Sequence, residues 1–578
     1  MNIPIFFNKR NLKISLISAL TLVLSFNACT KKSKGPTNSE FKIGLSQEFE
    51  TLNPLIMSML ATTYLSGLVV RQLTVMDANG QWVPNLAKTI PTVGNGAEIF
   101  IENGHKKIKV LWEIKDNASW GDGSPVTCED FNLARTIAIN PLVSIAEKEI
   151  YSDIERIEID KTNPKKCFFI YKDARWDFAH IGTLYPVSKH LEESVYNQFK
   201  DQAEGYEKNT NYVKNPTNPG LYNGPYIIKE IKLGSHVIFE PNPHFYGPKP
   251  SIQKIIAKII PNTGTLEANL RAGQIDMISS SGFSLDEAIS FDKKVKADNL
   301  PYVVHFVPSQ TYEHIDVNLL NPILKDLRVR LALMYAMNRI DLTNALFEGR
   351  QIPATHFIAT MDPWYTVDPE FSVNYSYSKE KANKLLDEAG WKMGTDGFRT
   401  KNGEQLTFTI ISTSENKTRE LVEQFLKDQW KQIGVNLEIK NEPARVFFGE
   451  TVRKAKYPAM AMYALVSSSE NIPRSILHSV SIPSEKNGWS GQNTYSWRNA
   501  KVDAAIDELK GEFDASKRLT LIHKILKEYT TELPSLPLYY RSDVAVSPKS
   551  LKGFQLTGHQ FVETYSAENW SLEESASK

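Results

Sequence analysis

Hydrophobic positions recur along the chain with two periods, and the two alternate. Strict alternation in KKIKVLWEIKD (106–116), IERIEIDKTN (154–163) and KCFFIYKD (166–173) predicts half-buried strands. EFKIGL (40–45), PSIQKIIAKIIP (250–261), PYVVHFVPSQTYEHIDVN (301–318), LTFTIIS (406–412) and SLPLYYRSDVAV (535–546) read as further strands. Between them the spacing becomes helical. KDLRVRLALMYAMNRIDLTNALF (325–347) carries Leu327, Leu331, Met334 and Tyr335 at helical intervals. KTRELVEQFLKDQWKQIGVNLEI (417–439) sets Leu421, Phe425, Leu426 and Ile433 on one face, and Gly434 ends the helix. In YSKEKANKLLDEAGW, Ser378 caps a helix that Gly390 closes at C′, where positive φ costs nothing without a Cβ. Thr127 is an N-cap, with Glu129 and Asp130 in the first turn where the helix dipole favours them. Residues 499–513 and 515–534 give two more helices before the last strand. Strands alternating with helices throughout argue mixed α/β architecture, and no tandem repeat of fixed period interrupts it.

Composition bounds the function classes. The 578 residues suggest about three to five domain-sized units. An apolar content of 41% is that of a globular chain. The net charge of +1 provides no basic field, so no nucleic-acid partner is expected. No HExxH, P-loop or GxSxG elbow is present. The GDG at Gly121–Gly123 and GNG at Gly94–Gly96 lack dinucleotide context and read as turns, and GWSG at Gly488–Gly491 is one residue short of the elbow. Neither catalytic residues, nor a metal site, nor a cofactor is expected.

The first residues carry a different pattern. Lys9, Arg10 and Lys13 precede an apolar stretch from Ile14 to Phe26, too short to span a bilayer comfortably but right for a signal-peptide core. The segment Ser25-Phe26-Asn27-Ala28-Cys29 resembles a bacterial lipobox, which implies cleavage after Ala28 and lipidation of Cys29. Phe26 departs from the usual leucine of that motif. Removing residues 1–28 takes the net charge from +1 to about −2. Residues 29–40 read as a flexible tether, polar with Gly and Pro. The other two cysteines, Cys128 and Cys167, are either a disulfide or two buried thiols; zinc is disfavoured because no CxxC or HxxxH accompanies them.

From about Phe41 to Asn569 the order of motifs resembles the family 5 extracellular solute-binding proteins. The matching stretches are QEFETLNPL, GQWVPNLAK, WGDGSPVTCEDF, NGPYIIKEIKLGSHVIFEPNPHFYG and LRAGQIDMI. Then follow KDLRVRLALMYAMNRIDLTNALFEG, SKEKANKLLDEAGW, WKQIGVNLEI and TELPSLPLYYR. The resemblance implies an α/β, two-lobe periplasmic-binding-protein fold of the large type II, cluster C-like kind, with an extra subdomain in the first lobe. It places lobe I at 41–310 with an insertion at about 85–215, lobe II at 311–534, a C-terminal return to lobe I at 535–570 and a tail at 571–578. Cys128 replaces the family's usual alanine before Glu-Asp, and with Cys167 on a nearby strand a Cys128–Cys167 disulfide is expected.

Function follows from the same resemblance. It implies a monomeric receptor in the periplasm or cell envelope, anchored to a membrane only by lipid on Cys29. That receptor captures a peptide or peptide-like solute between closing lobes and delivers it to an ABC permease and ATPase complex. Peptide-binding members carry a W-x-x-D-Y-x-D-P pattern whose aspartate pairs with the peptide's α-ammonium. Aligned on Pro473, AMYALVSSSENIPR puts Ser469 there, and Glu470 is the nearest substitute. The candidate ligand-binding residues are therefore Tyr463, Ser467, Ser468, Ser469 and Glu470. Asn493, Tyr495 and Trp497 of GQNTYSW follow, with Phe49, Glu50 and Met57 near the opening motif. The alternatives are the same fold holding an opine, glycan or metal chelate, or an envelope lipoprotein that does not transport.

Overall fold

The structure, a computed structural model, describes residues 39–573 apart from 50, 58, 144, 146–147, 415, 444–445 and 488–490. The signal-peptide and lipobox expectations, the tether before residue 39 and most of the GWSG turn lie outside the described residues.

One eleven-stranded sheet runs through the body. Its main strands are β1 (Phe41–Leu45), β2 (Tyr226–Lys232), β3 (His236–Pro241), β4 (Ile255–Ile259) and β5 (Met277–Ile278). They continue with β6 (Tyr302–Val317), β7 (Thr407–Ile411), β8 (Asn436–Ile439), β9 (Met460–Val466) and β10 (Ser535–Pro548). The spatial order is β8-β7-β9-β6-β10-β5-β1-β4-β3-β2, and the short strand Ile352–Pro353 pairs with β10 off this path. Parallel pairs β1/β4, β1/β5, β7/β8 and β7/β9 mark the α/β crossovers.

Two long antiparallel strands, β6 and β10, pair along most of their length in the middle of this sheet. Val304 faces Val546 near one end of the ladder, and Ile315 faces Leu536 near the other. Between Pro308 and Tyr312 the register shifts, so the pair bends there. The Gln310 N–H leaves the ladder and donates to the Gly558 carbonyl at 2.8 Å. Gly558 has φ +73°, and a Cβ there would stand 2.1 Å from the Pro308 carbonyl oxygen, so the C-terminal segment crosses the bend only with glycine.

A separate five-stranded sheet comprises Thr92–Val93, Gly96–Glu102, His105–Glu113, Lys166–Tyr171 and Ile154–Ile159 in that spatial order. Its core holds Trp112, Phe131 and Phe169 with the helix Cys128–Ile139. The helix starts as the polar pattern predicts: the Thr127 N–H donates to the Asp130 carboxylate at 2.7 Å. The Cys128 and Cys167 sulfurs are 2.17 Å apart with Cα atoms at 6.2 Å, which joins this helix to the strand Lys166–Tyr171.

Two helical expectations need correction. The 325–347 pattern forms two helices, Leu327–Tyr335 and Arg339–Phe347, because the Asn338 side chain caps the second by accepting the Asp341 N–H. In the helix Lys417–Lys431, Leu421 is 46% exposed, and the inward face is Arg419, Val422, Glu423, Leu426 and Trp430. The helix turns this way because Arg419 Nε donates to buried Glu313 Oε1 on β6 at 2.7 Å. Gly390, at φ +87°, follows the helix Lys379–Glu388 as its C′ residue.

Candidate functional site

A cavity of about 790 Å³ lies between the five-stranded-sheet region and the loop after β9. One wall is Trp82, Arg175, Asp177, His180 and Thr183; the other is Ser467 to Asn471 with Gln492. Through Thr183, Val466 and Gln560 it adjoins an apolar pocket of about 480 Å³ that includes Leu55, Met57, Leu60, Tyr151, Tyr185 and Phe561. A polar compartment next to an apolar one suits a solute with both characters.

The loop Ser467–Glu470 is held from behind. The Ser467 N–H and Oγ–H donate to the Gln310 carbonyl at 3.1 and 3.2 Å. Oriented to satisfy its surroundings, the Gln310 side chain donates to the Ser467 carbonyl at 3.0 Å and accepts from Ser469 N–H at 2.9 Å and Ser469 Oγ at 2.7 Å. Gln310 sits at the bend of β6, so the loop is braced on that central strand. Ser469 is thereby buried and its hydroxyl is used internally. Glu470 adopts the left-handed region at φ +53°, which costs a non-glycine residue about 1–2 kcal/mol. Its N–H is fixed on the Asp362 carboxylate at 2.9 Å, and Asp362 also accepts the Trp364 N–H at 2.8 Å. Burial pushes Asp362 up to about 6. The Glu470 carboxylate lines the cavity with no hydrogen-bond or ion-pair partner among the described residues. Burial raises its pKa, and the charge of Arg518 offsets part of that rise.

The opposite wall is closed electrostatically. Arg175 grips Asp177 with two hydrogen bonds of 2.6 Å and pairs also with Asp153. Burial pushes the Asp177 carboxyl up, but the Arg175 hydrogen bonds and charge outweigh it and hold the group below the usual range. His180 stacks on Trp82 at 4.8 Å and meets the edge of Trp176 at 5.3 Å. Burial pulls its pKa down to about 4, so the ring is neutral at pH 7. Trp176 crosses the gap. It is 8% exposed within a cluster otherwise built from residues between 312 and 540, with Arg518 4.2 Å over its ring and Trp364 at 5.7 Å.

Of the residues singled out from sequence, the cavity gathers Ser467, Ser468, Ser469 and Glu470, and its apolar extension takes Met57. The others stand behind it. Tyr463 is buried and donates to Asp316 Oδ2 at 2.6 Å. Asn493 is spent on the backbone of Leu477, His478 and Trp497. The Tyr495 hydroxyl donates to the Ile476 carbonyl, and Trp497 Nε1 donates to Glu532 at 2.6 Å. Phe49 belongs to the core around β1. Glu50 lies outside the described residues. Sequence reasoning missed Trp82, Arg175, Asp177, His180 and Gln310. The dense run RWDFAHIG (175–182) was the one local signal for three of them.

This two-lobe geometry has counterparts. The profile of the bacterial extracellular solute-binding proteins, family 5, matches residues 82–479, more than half of the chain. The chain is 24% identical over 564 residues to the oligopeptide-binding protein AppA of Bacillus subtilis, covering 96% of each. It is 26% identical to the nickel-binding periplasmic protein of Escherichia coli, covering 84% of this chain and 86% of that one. Among solved structures, the oligopeptide-binding protein of Thermus thermophilus complexed with a pentapeptide superposes with a TM-score of 0.74 at 26% identity. That match covers 92% of this chain and 96% of the other. The fold is the type II two-lobe fold of these receptors, and the chain belongs to family 5 of the bacterial extracellular solute-binding proteins.

Proposed function

We propose that this protein is the receptor of an ABC import system, capturing a peptide or peptide-like solute between its lobes and passing it to a membrane permease. The observation that supports this most directly is Glu470, half-buried at the cleft, whose carboxylate has no hydrogen-bond or ion-pair partner among the described residues. A ligand ammonium at Glu470 would add to the charge of Arg518 in offsetting the burial of that carboxylate. Relatives named for oligopeptide binding cover nearly the whole chain. Binding energy would act through lobe closure, since a ligand that touches both walls favours the closed state by its differential affinity. The test is calorimetry with a peptide and its N-acetylated form, after native mass spectrometry has identified what co-purifies. Free-amine peptides should bind at least tenfold tighter, or about 1.4 kcal/mol. Equal affinity for both forms would remove the ammonium reading.

One observation favours a second reading, in which the solute has no free amine. Ser469 stands at the position aligned with the ammonium-binding aspartate, and its hydroxyl already serves Gln310. A modified peptide, opine, glycan or metal chelate would then fill the cleft. A third reading keeps the fold for the cell envelope without transport; a purified protein with no solute and no thermal shift across peptide and metabolite libraries would favour it.

The finer assignments belong to the same proposal. We assign residues 1–28 to a signal peptide and Cys29 to the lipid anchor of an otherwise monomeric envelope protein. No helix among the described residues is long and apolar enough to cross a membrane. The lobes are divided at about residues 310 and 535, within or beside β6 and β10. Mass analysis of the mature N-terminus tests the anchor: an unmodified Cys29 removes it.

A further inference from the structure

A second cavity, of about 430 Å³, lies in the lobe that contains β1. It is bounded by the hairpin Thr74–Met76/Trp82–Pro84, the loop at 245–248 and the C-terminal segment from Gly553 to Asn569. Of its lining residues, Phe561 alone also lines the apolar extension of the interlobe cleft. The volume falls within the range of small-molecule sites. Phe245, Tyr246 and Tyr565 provide aromatic walls, with the Phe245 and Tyr246 rings 4.8 Å apart.

The polar groups divide unevenly between engaged acceptors and free donors. Glu568 is paired with the buried Arg71 guanidinium at 2.7 Å. The Asp77 carboxylate accepts the Asn79 and Gln81 N–H groups, both at 2.9 Å. Lys115 is different: its ammonium lies 4.9 Å over the Tyr246 ring and makes no hydrogen bond or salt bridge among the described residues. Burial pulls its pKa below the usual lysine value, with Glu568 offsetting part of the fall. Asn85 is 9% exposed; its Oδ1 accepts the Tyr246 hydroxyl at 2.6 Å, while its buried Nδ2 has no partner. Native proteins rarely leave such a donor unpaired in the interior. Both side chains are arranged about the same tyrosine, the Lys115 ammonium over its face and the Asn85 amide oxygen at its hydroxyl.

We propose that this pocket is a second binding site, separate from the interlobe cleft, for a small organic carboxylate with an apolar or aromatic body. The carboxylate would accept from Lys115 Nζ and Asn85 Nδ2, and the body would lie against Phe245, Tyr246 and Tyr565. A free carboxylic acid and a peptide C-terminus share this chemistry.

Calorimetric titration of the purified mature protein with 3-phenylpropionate tests it, beside the neutral isostere 3-phenylpropanamide and the peptide N-acetyl-Gly-Phe. Saturable binding of 3-phenylpropionate or of the peptide is expected, and whichever binds identifies the source. Lys115→Met should weaken that binding at least tenfold, Lys115→Arg should retain it, and the amide should bind at least tenfold more weakly than the acid. If Lys115→Met does not fold, Asn85→Ala carries the test, with a loss of threefold or more. No saturable binding of either carboxylate, equal affinity for acid and amide, or unchanged affinity in the folded Lys115→Met or Asn85→Ala protein would overturn the proposal.

Discussion

At Ser469 the hydroxyl serves Gln310, and the next residue, Glu470, lines the cleft in the left-handed region. Under the peptide reading, Glu470 carries the charge one residue after the position aligned with the ammonium-binding aspartate. Glu470→Gln keeps the shape and removes the charge. Under the peptide reading it should weaken a free-amine ligand about tenfold and leave its N-acetylated form within twofold, read by calorimetry. Equal losses for both ligands would make Glu470 a structural residue of the loop. Gln310→Ala should act differently: by loosening the brace on Ser467 and Ser469 it should weaken every cleft ligand alike.

At the scale of elements, the helix Cys128–Ile139 has a pH dependence with a defined sign. Asp130 accepts the Thr127 and Lys189 N–H groups at 2.7 and 2.8 Å, yet burial dominates and raises its pKa from 3.8 to about 6. Because the folded-state pKa is raised, the proton favours the folded state. The contribution is fully present below about pH 4 and is lost as pH rises through 6, worth roughly 3 kcal/mol at about 1.4 kcal/mol per unit. Asp130→Asn should flatten the slope of unfolding free energy between pH 4 and 6 in urea titrations; an unchanged slope would exclude Asp130 as its source. On the same helix, the pairing of Cys128 with Cys167 spans 39 residues. A loop of that length is worth about 4 kcal/mol by chain entropy. Replacing both cysteines with serine should lower the unfolding free energy by about 3–4 kcal/mol in oxidising buffer, and thiol titration of the denatured protein should find no free Cys128 or Cys167 before reduction.

For the whole molecule, Trp176 is one of the side chains through which the five-stranded-sheet region meets the cluster built from residues between 312 and 540; Lys106, 5.7 Å over the Phe513 ring, is another. Beside it the Trp176 N–H faces the Lys510 carbonyl at 3.4 Å, and Lys510 pairs with Asp173 at 3.2 Å. The exposed ion pair adds little, so the Trp176 and Phe513 rings carry most of this contact. Uncovering a tryptophan costs about 1.5–3 kcal/mol in apolar burial. Trp176→Ala should therefore shift the lobes toward the open state and weaken cleft ligands tenfold or more. Small-angle scattering of the ligand-free variant should give a larger radius of gyration than the parent. An unchanged radius together with unchanged affinity would mean that Trp176 does not hold the lobes.

What could be read from the sequence is what local periodicity and turn chemistry determine. Thr127, Gly390 and the alternation in KKIKVLWEIKD act within a few residues, so their roles were legible without a partner in view. The order of short motifs likewise identified the family, because each motif serves a local turn, cap or strand of one fold. Other decisions required contacts distant in sequence. Leu421 faces solvent because Arg419 finds Glu313, 106 residues away, and that pair turns the helix by burying charge. Tyr463, Asn493, Tyr495 and Trp497 carry the same polar groups a pocket would use, and only their burial shows those groups already spent on Asp316, Glu532 and the backbone. Arg175 and Asp177 look like charges available to a ligand until their mutual hydrogen bonds are seen. Periodicity reports which face is apolar. Which polar groups lack a hydrogen bond depends on the partners that the tertiary structure brings to them, and those groups, the carboxylate of Glu470 at the cleft and the side-chain nitrogens of Lys115 and Asn85 at the second cavity, are where ligand chemistry is expected.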